Sequence, residues 1–247
     1  MNTLFKIRMV ARYESKTLLR SWFFRIFSVL ALIIIIFFDL VGFGILKGGG
    51  IPGRLIPGAV PYLNLFFLNI AQAVIAIFLS ADFLGRDKKL DTTEAFYIRD
   101  ISNFSYVTGK TLGILKVFFI LNLIVLLIGA VISFISDDIN FNLFTFIVYP
   151  LLISLPTLVF VLGISFFVMM MVRNQAITFV LLLGYIAVVL FYLRYKLYGV
   201  WDFINYFTPM AYSDFTGFSD FYSVMLLRSA YFVTGLFCIG LTIGLLP

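Results

Sequence analysis

The chain has 247 residues, 62% of them hydrophobic and 12% charged, with a net charge of +6 and a mean hydropathy of +1.10. Soluble domains carry about 25% charged residues, so the deficit excludes a water-soluble fold and indicates one membrane domain whose solvent is mostly lipid. Histidine is absent and the one cysteine, Cys238, lies in an apolar run, which excludes a histidine-based catalytic triad, a Cys/His zinc pattern and a disulfide framework.

The first element spans residues 1–22 and reads as an interfacial helix. Leu4, Ile7, Val10, Ala11 and Leu18 share one face, while Arg8, Arg12, Lys16 and Arg20 recur every fourth residue on another. The apolar face is expected in the headgroup boundary, with the basic row on anionic lipid. Glu14 falls within the apolar face, where two pairings stand open: a basic residue of the other cytoplasmic segment, or a lysine or arginine of its own helix. The run that follows is too long for a signal peptide and lacks a cleavage site, so it is an uncleaved anchor.

Six stretches are apolar over a bilayer's length: Ile26–Leu46, Tyr62–Ala81, Val117–Ile135, Leu143–Val172, Ala176–Leu193 and Ser229–Leu246. The runs are continuously apolar, without the alternation of a barrel wall, so an all-α bundle of six spans is expected and strands are not. The fourth contains Pro150 and Pro156 and is expected to tilt or kink there. Lysine and arginine are dense before the first span and between the second and third, and Arg173 follows the fourth; the loop after the third has Asp137 and Asp138 and no basic residue. The positive-inside rule therefore predicts both termini in the cytoplasm of a bacterial inner-membrane protein, and it accounts for the net charge without invoking nucleic acid.

The polar segment Gly85–Lys110 mixes charge with Phe96, Tyr97, Ile98, Ile101, Phe104 and Tyr106, and Asp91 with Glu94 resembles a capping box. Apolar side chains on a cytoplasmic connector suit a docking helix. The segment 195–224 is external by this topology and rich in aromatic residues; whether it is re-entrant or an interfacial belt stays open. Gly109-Lys110-Thr111 imitates a phosphate loop, but Phe104 stands where the first glycine belongs, so Lys110 is expected to anchor the third span by snorkelling. Asp39, Asp82, Lys116 and Arg228 are the ionisable groups within or near spans. All but Asp39 lie near a span end, where snorkelling suffices; Asp39 lies deeper and needs a partner or a wet cavity.

The order of amphipathic leader, two spans, charged cytoplasmic helix and four further spans resembles the membrane subunit of type-2 ATP-binding-cassette exporters along essentially the whole chain. Ala11-Arg12-Tyr13-Glu14-Ser15-Lys16-Thr17-Leu18-Leu19-Arg20 is similar to that family's elbow helix. Thr93-Glu94-Ala95-Phe96-Tyr97, through Ile101-Ser102 to Tyr106-Val107-Thr108-Gly109-Lys110, is similar to its coupling segment, although Asp100 stands where the family often has proline. The resemblance implies ATPase coupling at Glu94, Phe96, Tyr97, Ile98 and Arg99, elbow contacts at Glu14 and Arg20, and a homodimer or heterodimer with a second permease. ATP and magnesium would sit on a separate ATPase subunit, with no cofactor and no catalytic residue in this chain. The run Ala81–Glu94 also resembles bacterial permeases fused to a zinc aminopeptidase domain, which is not among these residues. The chain stops straight after its last span, which reads as a fragment or a split form. The alternative is a membrane anchor or scaffold for a peptidase or other cytoplasmic partner.

Overall fold

The computed structural model describes residues 3–42, 59–81, 101–135, 142–193, 202–204, 212–213, 217–218 and 221–246. Seven helices dominate them. They are α1 (Thr3–Arg20), α2 (Trp22–Gly42), α3 (Ala59–Ala81), α4 (Asn103–Ile135), α5 (Leu143–Val172), α6 (Gln175–Phe191) and α7 (Phe221–Leu245). Five of these, α2, α3, α4, α5 and α7, are long and apolar enough to cross a membrane, and α6 is a shorter apolar helix. The chain is a helical, multi-pass membrane protein. Helices satisfy every backbone group within the segment, which lipid demands.

The apolar stretches become helices with shifted boundaries. The third was expected from Val117 and begins at Asn103, giving α4 33 residues and a length of about 50 Å. That exceeds the roughly 30 Å of hydrocarbon. The last begins at Phe221 instead of Ser229, and the fifth is only 17 residues long, about 25 Å.

Local signals explain the ends. Asn142 accepts a hydrogen bond from the Phe144 amide at 3.0 Å and opens α5. Asn174 accepts from Ala176 and Ile177 at 3.0 and 3.2 Å and opens α6. Between α5 and α6, Arg173 takes a left-handed φ of 54° and donates its amide to Met169 at 2.9 Å, so the chain reverses in two residues. Pro150 begins a π-helical turn, Pro150–Ser154, inside α5. The wide turn accommodates the proline without ending the helix, and such turns gather at functional sites.

Burial ranks the helices. In α3 and α5, 67% of the spanning window is buried, against 22% in α2 and α7, so the former are central and the latter show most of their surface outward. Leu158, Phe166, Ala73, Ile77 and Phe118 anchor the main core, and α2 lies on it through Phe24, whose ring meets Phe118 edge-on at 5.5 Å. The Asn103 side chain donates to the Leu246 carbonyl at 2.8 Å, so α7 ends beside the start of α4. Contrary to the expectation of no strands, Tyr212–Ser213 and Gly217–Phe218 pair as a two-residue antiparallel ladder. Phe218 packs on Tyr149 of α5 at 5.8 Å.

Candidate functional site: a glycine-seated helix and two buried polar clusters

From Val10 onward, the face of α1 expected on lipid is packed against protein, while Leu4 at its start is 73% exposed. Val10 and Leu18 are buried, as are Glu14 and Ser15, and they pack against the first half of α4. Two glycines one turn apart make the approach possible. A Cβ on Gly109 would lie 2.6 Å from that of Val10, and one on Gly113 would lie 2.8 Å from both the Ala11 carbonyl oxygen and the Glu14 Cβ. Small residues at this spacing let helix backbones close on one another. Ser15 Oγ lies 3.0 Å from the Gly113 carbonyl and 2.8 Å from that of Ala11, with one proton to donate.

This seat revises the expectation for Lys110 and bears on two other readings. Gly109-Lys110-Thr111, which imitated a phosphate loop, is part of a helix–helix contact. Lys110 is 2% exposed, its ammonium 5.0 Å from the centre of the Tyr106 ring on its own helix, so it does not snorkel. Of the two residues expected as elbow contacts, Arg20 is exposed, and Glu14 is 3% exposed with its Cβ against Gly113.

The second cluster lies deep between α2, α3 and α4. Asp39 is fully buried, and Asn64 Nδ2 of α3 donates to its Oδ2 at 2.8 Å. The same amide faces Gly129 of α4, whose Cβ, if present, would meet Asn64 Nδ2 at 2.7 Å. Further along α3, Gln72 donates to Asn69 Oδ1, and Asn122 of α4 donates to Gln72 Oε1 at 3.0 Å and to the Phe118 carbonyl at 2.7 Å. Asn69 Nδ2 and Asn122 Oδ1 end this relay of amides without a partner among the described residues. Buried amides of this kind tie membrane helices together. The sequence reading missed Asn64, Asn69, Gln72 and Asn122 because it searched spans for ionisable groups; amides within apolar runs were the available signal.

The third cluster corrects the placement of Arg228 at a snorkelling position. Arg228 is 2% exposed, and its guanidinium donates to the Phe203 carbonyl at 2.6 Å and to the Asp202 carbonyl at 3.0 Å. It also reaches Thr157 Oγ1 at 3.4 Å; that hydroxyl lies 2.7 Å from the same Phe203 carbonyl. A guanidinium needs several acceptors when it leaves water, and here a short polar stretch folds inward to supply them. Asp202, Phe203 and Ile204 are buried, with the Phe203 ring stacked on Tyr185 of α6 at 5.7 Å. The aromatic segment, expected outside, thus enters the helical core at this place.

Glu94, Phe96, Tyr97, Ile98 and Arg99 lie outside the described residues, as do Asp82, Asp137 and Asp138. Among the described residues, no three His, Cys, Asp or Glu side chains gather to hold a metal. What the chain brings together is hydrogen-bonding and ionic chemistry carried on rigid helices. Comparison with known proteins gives no matching family model and no matching curated protein.

Proposed function

We propose that the chain is the permease subunit of an ATP-driven exporter, working as a homodimer or heterodimer with a second permease and coupled to a separate ATPase. In this reading six spans place both termini in the cytoplasm, α1 is the elbow helix, and residues 85–110 form the coupling segment.

The observation that carries the proposal is the seat of α1 on α4. Helix α4 begins at Asn103 within the 85–110 segment and takes in its last eight residues, outreaches the bilayer core by about 20 Å, and holds α1 through Gly109 and Gly113. A push on the segment therefore reaches the transmembrane end of α4 and the elbow together, through rigid helix. Closure of the ATPase domains would bias the bundle between two arrangements, with the path opened to the other side in one of them.

Parity supports the six-span topology. If α6 crosses with the other five, α4 starts and α7 ends on the same side; if α6 does not cross, they lie on opposite sides. The Asn103 to Leu246 hydrogen bond agrees with the first case. Arg25 at the start of α2 and Arg173 between α5 and α6 suit that side as the cytoplasmic one.

The test is the double substitution Phe96→Ala with Tyr97→Ala. The variant should insert normally and lose co-purification with the ATPase encoded or expressed alongside it. Undiminished co-purification refutes the assignment, and a cytoplasmic partner without a nucleotide fold points to the scaffold instead.

A further inference from the structure

The described residues include three acids, and all are buried: Glu14 at 3% exposure, Asp39 at 0% and Asp202 at 3%. Among the described residues the exposed charged side chains are all cations, Arg8, Arg12, Lys16, Arg20, Arg25, Lys116 and Arg173. Four of these form one row on α1, spaced every fourth residue and turned away from α4. The apolar side of α1 is covered around Val10, Glu14 and Leu18, and the basic side is exposed at all four cations.

The row is not purely polar. Phe5 and Leu19 lie among the cations, 57% and 51% exposed. Only Ser21 separates α1 from α2, and the outward stripe of α2 begins at once with Trp22 and Ile26, 76% and 61% exposed. Arg25 Nε donates to the Leu19 carbonyl at 2.9 Å and braces this corner. Phosphate-sized charge is therefore wanted directly beside a surface made for acyl chains. An acidic protein would satisfy the cations and leave the apolar side chains between them in water. A phospholipid supplies both halves in one molecule, and basic residues near an acidic leaflet each strengthen binding about fivefold.

We propose that the outward face of α1, formed by Arg8, Arg12, Lys16 and Arg20 and closed by Arg25, is a docking surface for acidic phospholipid headgroups. The lipid holds α1 flat on its seat against α4, from the side opposite the glycines. Nothing in this inference requires an ATPase or the exporter reading.

The full chain, reconstituted in nanodiscs of mixed phosphatidylglycerol and phosphatidylcholine, is released into the gas phase, and the lipids retained on it are counted by native mass spectrometry. Wild type should favour phosphatidylglycerol at least tenfold in low salt, less as salt rises. The variant R8Q/R12Q/K16Q/R20Q should approach parity, while R173Q, a cation away from α1, keeps the preference. The four positions are solvent-facing, so melting of the variant should match wild type; charge-keeping R8K/R12K/R20K supplies a second check and should retain the lipid. The proposal is overturned if wild type shows no preference, as expected were an acidic protein the occupant. It is equally overturned if the quadruple variant keeps the preference or R173Q loses it.

Discussion

Among the described residues, two helix crossings bring glycine up to the backbone of a neighbouring helix, and they differ in what surrounds them. Where α5 meets α7, backbone faces backbone: a Cβ on Gly163 would run into the Gly235 carbonyl oxygen, and one on Gly235 would lie 2.6 Å from the Val159 carbonyl oxygen and 2.7 Å from the Phe160 Cα. Where α4 meets α1, Gly109 faces mainly the Val10 side chain and Gly113 faces both the Ala11 carbonyl oxygen and the Glu14 side chain, and α1 has its other face exposed. The first crossing is enclosed by the Phe160 and Tyr231 rings, 5.0 Å apart, and has nowhere to move. The second joins a helix with one exposed face to the bundle, and it is expected to open without unfolding the rest. The same residue type thus builds a fixed joint in the core and a separable one at the edge.

The sharpest break of that comparison is Gly163→Val. Its side chain meets main chain on a packed helix, where overpacking costs about 3 kcal/mol or more, a large part of a domain's whole stability. Size-exclusion chromatography in mild detergent should show mostly aggregate and little monodisperse protein. A normal monodisperse yield would mean that α5 and α7 can slide apart, and the fixed joint would be fixed no longer.

Arg228→Met comes next, because α5 and α7 are also tied through Arg228, Thr157 and the carbonyls of Asp202 and Phe203. Removing the guanidinium leaves the Asp202 carbonyl without its charged donor, while Phe203 keeps Thr157, so a cost of about 2–4 kcal/mol is expected. Arg228→Lys should fall between, since one ammonium cannot span both carbonyls as the fork does. The reading is a lower thermal midpoint, with an Ile204→Cys reporter in a Cys238→Ser background that reacts with a membrane-impermeant maleimide in the Met variant and stays unlabelled in the Arg parent. Equal protection in both would show that the 202–204 stretch is held by its aromatic packing alone.

The five long apolar helices were legible in the sequence because a continuous apolar run has few soluble explanations. Their ends were less so. Hydropathy stopped the third span at Val117, since Ser105, Lys110 and Thr111 are polar; all three are buried in the fold, and packing of that kind leaves no mark on the sequence it covers. The periodicity of α1 identified its apolar stripe correctly and its partner wrongly, lipid and a neighbouring helix being equally apolar to Val10 and Leu18. The spacing of Gly109 and Gly113 carried the missing information. Gly163 and Gly235 carried none alone, for their meaning arises only when α5 and α7 are brought together. Arg228 looked peripheral by its distance from a span end; its burial depends on residues 202–204, separated from it by more than twenty positions.

The smallest expected effect is the most informative about the separable joint. Gly113→Val places branched carbon against the Ala11 carbonyl and Glu14, and pushes Ser15 from its bond to the Gly113 carbonyl. The contact should open for about 1–3 kcal/mol, and since α1 is held elsewhere mainly through its link to α2, the strain leaves by displacement of α1 instead of unfolding. Limited trypsin digestion should then cut faster at Lys16 and Arg20, while the thermal midpoint of the bundle changes by much less than in Gly163→Val. If the two glycine variants melt alike, α1 is an integral part of the core, and the motion assigned to it has no joint to turn on.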